Sequence, residues 1–297
     1  MPSSTPRKHL LLFGASRGLG LAIAQEYLKR GWHVVATARK ESGTALHDLI
    51  GKAEGRLVVE IVDIADPAQV RALRQRLGSE RFDLLLVNAG VTNDDRETIA
   101  DVSTEEFTRV MVTNSLSPMR VVERFQDLVP PKGAIAIMSS GQGSVGNNEN
   151  GGHEVYRASK AALNMLMRSF AARHRDDPRT LLLLAPGWVR TGLGGAGARL
   201  SVEESIPNLV KVIEAQEGKG GLHYLDYLGR TEAAAARGRD RPSGRSVRSR
   251  LKPRARSLRR PAGSERHVLS RSRHRRSVTI ACRSAKTRST VRSSLWA

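Results

Sequence analysis

Short apolar runs and longer amphipathic stretches alternate along the first 230 residues of the chain. Leu10–Phe13, Val34–Thr37, Leu57–Val62, Leu84–Asn88, Ala134–Ser139 and Leu181–Ala185 are runs of Leu, Val, Ile or Ala bounded by polar residues or glycine. Such runs predict strands buried on both faces. Between them Leu19–Arg30, Pro67–Leu77, Thr104–Leu128 and Val155–Arg175 read as helices; in the second, Val70, Leu73 and Leu77 recur at the i, i+3, i+7 spacing of one helix face. Ser201–Gln216 predicts another helix, opened by Ser201 as N-cap with Glu204 completing a capping box. His223–Asp226 adds a last short strand. Strands separated by helices are the pattern of stacked βαβ units. The expectation is α/β: one doubly wound parallel sheet with helices on both faces, over residues 1–230.

Near Arg230 the pattern stops. Residues 237–297 are rich in Arg and Ser with no sustained apolar period, a composition that cannot offset the entropy of folding and predicts a disordered C-terminal tail. The division changes how the charge is read. The 297 residues carry a formal +20, but residues 231–297 hold 20 Lys+Arg against 3 Asp+Glu, while residues 1–230 hold 29 against 26. Basicity belongs to the tail (1–230 body, 231–297 tail) and says little about the body. The single cysteine, Cys282, excludes an internal disulfide framework or a cysteine-rich metal site, and no metal ligand set is expected. No apolar run approaches the roughly 18–20 residues of a membrane span, and Leu10–Phe13 is too short for a signal-peptide core. A cytoplasmic, reducing setting is the expectation.

Candidate chemistry gathers where predicted strands end. The first runs into Gly14-Ala15-Ser16-Arg17-Gly18-Leu19-Gly20 and then a helix. Glycines there let the backbone turn tightly and approach a pyrophosphate, and the helix N-terminus offers free N–H groups. The second strand ends at Arg39, where an NAD-preferring site usually carries a carboxylate. Arg39 and Arg17 together favour a ribose 2′-phosphate, hence NADP(H) over NAD(H). Asp63-Ile64 closes the third strand and could meet an adenine amino group, or be a plain strand-end pair; Asn88-Ala89-Gly90 ends the fourth. Ser139-Ser140-Gly141 ends the fifth, and Tyr156 and Lys160 follow on one helix face. A nearby ammonium would stabilise a phenolate, whose ordinary pKa near 10 otherwise makes it a poor acid or base.

Taken together, these residues resemble the short-chain dehydrogenase/reductase family, from about Lys8 to Gly229. Gly14, Gly18 and Gly20 match its glycine loop, Asn88-Ala89-Gly90 its N-N-A-G turn, and Asn114, Ser140, Tyr156 and Lys160 its distant Asn, Ser and Y-x-x-x-K pair. Ser140 is chosen over Ser139 because Gly143 stands in the family's serine-x-x-glycine position. Asn147, Gly151-Gly152, the run Tyr156–Asn164 and Pro186-Gly187-Trp188-Val189-Arg190-Thr191 are similar to the C-factor-like branch and its carbonyl reductases, and so is the long gap from Ser140 to Tyr156. Phe13 and Val87 depart from the family's Thr and first Asn, which implies looser packing or weaker cofactor affinity.

The resemblance implies a Rossmann-type fold and hydride transfer between a nicotinamide and a carbonyl or alcohol. Ser140 would polarise the substrate oxygen, Tyr156 would exchange its proton, Lys160 would lower the Tyr156 pKa and hold ribose hydroxyls, and Asn114 would position a water linking Lys160 to solvent. Ser16, Arg17, Leu19 and the three loop glycines would hold the cofactor with Arg39, Asp63, Ile64, Asn88, Ala89, Gly90, Tyr156 and Lys160, and the Pro186–Thr191 turn would add Pro186, Gly187, Val189 and Thr191. The glycine-rich Gly192–Gly197 stretch suggests an open pocket for small or extended carbonyl compounds. Family members pair through helices such as Thr104–Leu128 and Val155–Arg175, so a homodimer or homotetramer is expected. The alternative is a non-catalytic dinucleotide-binding regulatory or cell-signalling protein. For the tail three readings stay open: a passive extension, such as a shifted reading frame in GC-rich DNA would give; a nucleic-acid-binding arm, which is not favoured; or an arm for a partner or membrane surface.

Overall fold

The computed structural model describes residues 7–232. Seven strands form one sheet: β1 (His9–Phe13), β2 (His33–Ala38), β3 (Leu57–Ile61), β4 (Leu84–Val87), β5 (Ala134–Met138), β6 (Thr180–Ala185) and β7 (Gly221–Asp226). Helices α1 (Gly18–Lys29), α2 (Pro67–Leu77), α3 (Thr104–Met111), α4 (Ser117–Phe125), α5 (Glu154–Arg173) and α6 (Val202–Ala215) connect them. The strand order is β3-β2-β1-β4-β5-β6-β7, and every neighbouring pair is parallel. This is the Rossmann-like doubly wound sheet that the alternation predicts. The order reverses between β1 and β4, and a crevice opens outside the carboxyl ends of such strands.

The uninterrupted apolar runs conceal a period of two. Leu11 and Phe13 of β1, Leu85 and Val87 of β4, and Ile135 and Ile137 of β5 face one layer, packed on Val70 and Leu73 of α2, Phe125 of α4 and Leu163, Met167 and Phe170 of α5. Their strand neighbours Leu10, Leu12, Leu84, Leu86, Ala134 and Ala136 face the other, against Ile23, Ala24 and Tyr27 of α1 and Leu209 and Ile213 of α6. Each of these three strands therefore feeds two cores, which fixes its register to the residue. Helix starts are locally specified. Asp66 accepts the Ala68 and Gln69 N–H groups at 2.8 and 3.3 Å ahead of Pro67, and the Ser201–Glu204 capping box closes α6 as predicted.

Two expectations need revision. The helix predicted over Thr104–Leu128 is not uniform: a π-turn at Val112–Leu116 separates α3 from α4, and the last turn, Gln126–Leu128, is a 3₁₀ turn. Phe13 and Val87 do not loosen the strand ends. They are direct register partners, both fully buried, and Phe13 stands edge-on to Phe125 with centroids 5.2 Å apart. The core closes around this apolar pair. The body also runs past Arg230: Thr231 bridges Leu225, and the Glu232 N–H donates to the Tyr224 carbonyl. The expected disorder of the tail concerns residues that, from 233 on, lie outside the described ones. Among the described residues no helix is long and apolar enough to cross a membrane.

Phe13→Ala is expected to cost about 3–5 kcal/mol, the usual loss for emptying a buried aromatic site. A shift in denaturation midpoint equivalent to less than about 1 kcal/mol would mean that the Phe13–Val87 pair is not packed as described.

Candidate active site

The carboxyl ends of the strands carry nearly every residue singled out above. Gly14, at φ 84°, turns the chain out of β1, and a side chain there would stand 2.7 Å from Ala89. Gly20 is tighter still: a methyl group would stand 2.0 Å from the Gly14 carbonyl and 2.6 Å from Asn88 Nδ2. The loop is held by Thr37, whose hydroxyl accepts from the Gly14 N–H at 3.0 Å, and by Asn88 Nδ2, which donates to the Gly14 carbonyl at 2.8 Å. Arg17 precedes α1 in extended conformation, with no side-chain cap and no acidic residue in the first turn. The first N–H groups of a twelve-residue helix thus face the crevice between β1 and β4 beside a glycine cradle, an arrangement that fits a pyrophosphate. Ser16 and Leu19 lie in this same turn, half-buried.

Arg17 and Arg39 are exposed at the ends of β1 and β2, and among the described residues neither guanidinium has a hydrogen-bond or ion-pair partner. Asp63 follows β3; one of its oxygens accepts from the Ala65 N–H at 2.8 Å, while Ile64 is buried. The Pro186–Thr191 turn leaves β6 over the same edge. Pro186 and Val189 are buried, Gly187 has φ 81° under Leu200, and the Thr191 side chain is in contact range of Gly18. The turn is pinned by Trp188 Nε1 donating to the Gly194 carbonyl at 2.8 Å and the Gly194 N–H donating to Thr191 Oγ1 at 3.0 Å.

Asn114 sits in the π-turn, fully buried. Its Oδ1 accepts from the Val91 N–H at 2.8 Å, and its Nδ2 donates to the Val91 carbonyl at 2.8 Å and to Ser159 Oγ at 2.9 Å. Ser159 Oγ in turn donates to the Tyr156 carbonyl at 2.7 Å. One amide therefore joins the loop after β4 to the first turns of α5. A widened turn aims a side chain that a regular helix would carry past.

The two serines after β5 divide. Ser139 points inward, donating to Asn164 Oδ1 at 2.6 Å, whereas the half-buried Ser140 hydroxyl accepts from the Gln142 N–H at 3.2 Å and lies near enough to the Tyr156 phenol to act on its pKa. Gly143 allows this turn, since a methyl group there would press on Lys160 at 3.0 Å. Lys160 Nζ donates to the Met138 carbonyl at 2.9 Å and lies 5.8 Å from the centre of the Tyr156 ring. Gly90 flanks both Lys160 and Asn114: a methyl group on it would stand 3.6 Å from Nζ and 3.4 Å from Asn114 Oδ1. Burial governs the electrostatics. It pushes the Lys160 ammonium down to about 8 and the Tyr156 phenol above its ordinary 10, with the Ser140 hydrogen bond pulling the phenol partly back. The expected lowering of Tyr156 by the ammonium does not appear: burial sets the direction, and Lys160 contributes no lowering of its own. A phenol, a hydroxyl and a buried amine beside a glycine cradle can bind a carbonyl oxygen and move one proton to or from it.

Sequence reasoning missed Thr37, Ser159, Asn164 and Tyr224, whose hydroxyl donates to the Ser140 carbonyl at 2.5 Å. Ser159, inside the Tyr156–Lys160 spacing, had a signal. The others act across the fold and had none.

Comparison with known proteins agrees with this geometry. The family model for short chain dehydrogenases matches residues 8–198. A crystal structure described as a short-chain dehydrogenase/reductase from Burkholderia multivorans with bound NADP is 57% identical, with a TM-score of 0.75 over 77% of this chain and 100% of that one. A carbonyl reductase from Pseudomonas aeruginosa PAO1 in complex with NADP is 36% identical, with a TM-score of 0.72 over the same shares. C-signal of Myxococcus xanthus is 33% identical over 165 residues, 54% of this chain and 97% of C-signal.

The depressed Lys160 pKa has a consequence for stability. Between pH about 8 and 10.5 the unfolded chain holds a proton that the folded one has lost, so stability rises with pH across that window, and below it the folded state bears the full cost. Lys160→Met is expected to stabilise the protein by about 2 kcal/mol at pH 7, after allowing for the lost Met138 bond, and the gain should fade towards pH 10.5. Denaturant midpoints at pH 7 and 10 test this; a variant equally destabilised at both would refute it.

Proposed function

Since the chain belongs to the short-chain dehydrogenase family, an oxidoreductase family, we propose that it is an NADP(H)-dependent enzyme interconverting a carbonyl compound and its alcohol. The observation that carries the reading is the Ser140–Tyr156–Lys160 cluster beside the Gly14–Gly20 cradle. A bound nicotinamide supplies or takes the hydride, and the chain's residues do the rest. Ser140 holds the substrate oxygen, and Tyr156 gives it a proton in reduction or removes one in oxidation. Lys160 holds ribose hydroxyls, and its charge makes the phenolate easier to form once a ligand has excluded water. Asn114 acts by position, fixing Val91 and α5 about Lys160, and the proton path from Lys160 to solvent runs past it.

For the dinucleotide, the uncapped start of α1 suits the pyrophosphate, Asn88, Ala89 and Gly90 the adjoining ribose, Asp63 and Ile64 the adenine, and the Pro186–Thr191 turn the nicotinamide side. Arg17 and Arg39, free of partners among the described residues, suit a 2′-phosphate, and the bound NADP of the Burkholderia relative supports that choice.

One assay tests both parts. NADPH should be oxidised in the presence of an aldehyde or ketone panel, and Tyr156→Phe should lower kcat about 10²–10⁴-fold while NADPH still binds. Arg17→Ala with Arg39→Ala should reduce the preference for NADPH over NADH about tenfold or more. Tight NADPH binding with no turnover across the panel would favour the regulatory reading.

A homo-oligomer is the second part of the proposal. Leu116, Met165 and Leu166 are exposed around a shallow apolar depression shared by α5 and the π-turn, with Met165 at 66% exposure. The reading is a dimer or tetramer formed through this face. Met165→Glu should shift the wild-type assembly towards monomer in sedimentation equilibrium; an unchanged assembly would remove this face from the interface.

A further inference from the structure

After β7 the chain does not leave the site. Asp226 accepts the Leu228 and Arg230 N–H groups at 2.9 and 2.8 Å, Gly229 adopts φ 80°, and the chain turns back antiparallel to β7. The return ends with the Glu232 N–H on the Tyr224 carbonyl. It carries the Glu232 carboxylate to the turn after Ser140, where a methyl group on Gly141 would stand 3.4 Å from Oε1. Tyr224 packs between, its hydroxyl on the Ser140 carbonyl.

Among the described residues the charged and titratable groups about this carboxylate are few. Asp226 holds Arg230 at 2.6 Å, so the nearest guanidinium is already paired. Tyr224 and Tyr156 complete the group; burial, with the Glu232 charge and the Tyr156 phenol adding to it, keeps the Tyr224 proton on, up to about 12. Among the described residues the Glu232 side chain has no hydrogen-bond partner, and its partial burial and Asp226 push its own pKa upward. Among the described residues Arg230 acts on Glu232 only at a distance, and a carboxylate with no direct cation partner at the turn that follows Ser140 repels a negative substrate and attracts a positive one.

We infer that Glu232 is a specificity-determining residue that makes the site discriminate against carbonyl substrates bearing an anionic group near the reacting carbon, in favour of neutral and cationic ones. The inference rests on the dehydrogenase reading above and adds a substrate class to it.

The test uses the full chain, NADPH and three para-substituted benzaldehydes: 4-formylbenzoate, its methyl ester, and 4-(trimethylammonio)benzaldehyde. Comparing wild type with Glu232→Gln on the same three probes cancels their intrinsic reactivities. The expected result is a rise of about tenfold in the anion-to-ester ratio of kcat/KM, a fall in the cation-to-ester ratio, and ester turnover within about twofold of wild type. Added salt should narrow the wild-type ratios and leave those of the variant nearly unchanged. Glu232→Asp, which keeps the charge, should stay close to wild type. Turnover with ratios unaltered by Glu232→Gln overturns the inference alone. A wild-type chain that reduces none of the three, nor any member of the wider panel, overturns the dehydrogenase reading and the inference with it.

Discussion

Because β1 pairs in parallel with β2 on one side and β4 on the other, the connections leaving its carboxyl end have to diverge, and the crevice between them is a consequence of sheet order. The glycine turn, the start of α1 and the Asn88–Val91 loop all border that crevice. The turn is held by Thr37 from β2 and by Asn88 following β4, so the two neighbours of β1 clamp it from opposite sides. Phe13 and Val87 sit immediately beneath, in the last register pair before the strands part. The apolar core thus reaches within one residue of the cradle, which is held by packing below and by Thr37 and Asn88 above.

The other half of the site depends on keeping a cation out of water. Among the described residues Lys160 is held by a single hydrogen bond to the Met138 carbonyl and no carboxylate, an arrangement that lowers its pKa to about 8. Replacing it with an apolar residue would suit the fold better, and that conflict between stability and a working residue is typical of functional sites. Asn114 makes the arrangement rigid. It spends its amide on Val91 and Ser159, so loop, π-turn and α5 move as one piece around the ammonium.

Most of this architecture was legible in the sequence, for reasons that differ by element. The strands announce themselves because burial on both faces demands unbroken apolar runs, and α2 and α6 because Asp66-Pro67 and Ser201–Glu204 are local signals. The π-turn is silent: apolar spacing over Thr104–Leu128 does not distinguish a ladder of i+4 bonds from one widened turn. The glycine loop and the Tyr156–Lys160 spacing could be read because each is fixed within a few residues of chain. Thr37, Asn164 and Tyr224 could not, since each meets its partner only after strands far apart in sequence have paired. Nor could the Tyr156 pKa direction, because spacing reveals a neighbouring lysine and conceals the burial that sets the direction.

Charge is distributed along the crevice with opposite sign at its two ends. Among the described residues Arg17 and Arg39 stand unpaired where the loops leave β1 and β2, and Glu232 stands beside the turn after β5, carried there by the return from β7. In the proposed reading the first pair meets the extra phosphate of the dinucleotide and the carboxylate meets the substrate. Strand neighbours are about 4.8 Å apart, so β1 and β2, two and three positions from β5 in the sheet, are separated from it by roughly 10 and 14 Å, beyond the Debye length of about 8 Å at physiological salt. At that distance exposed charges are largely screened from one another. The preference for a phosphorylated cofactor and the preference among substrates can therefore be set independently, the first by exposed arginines that salt weakens readily, the second by a half-buried carboxylate that it weakens less.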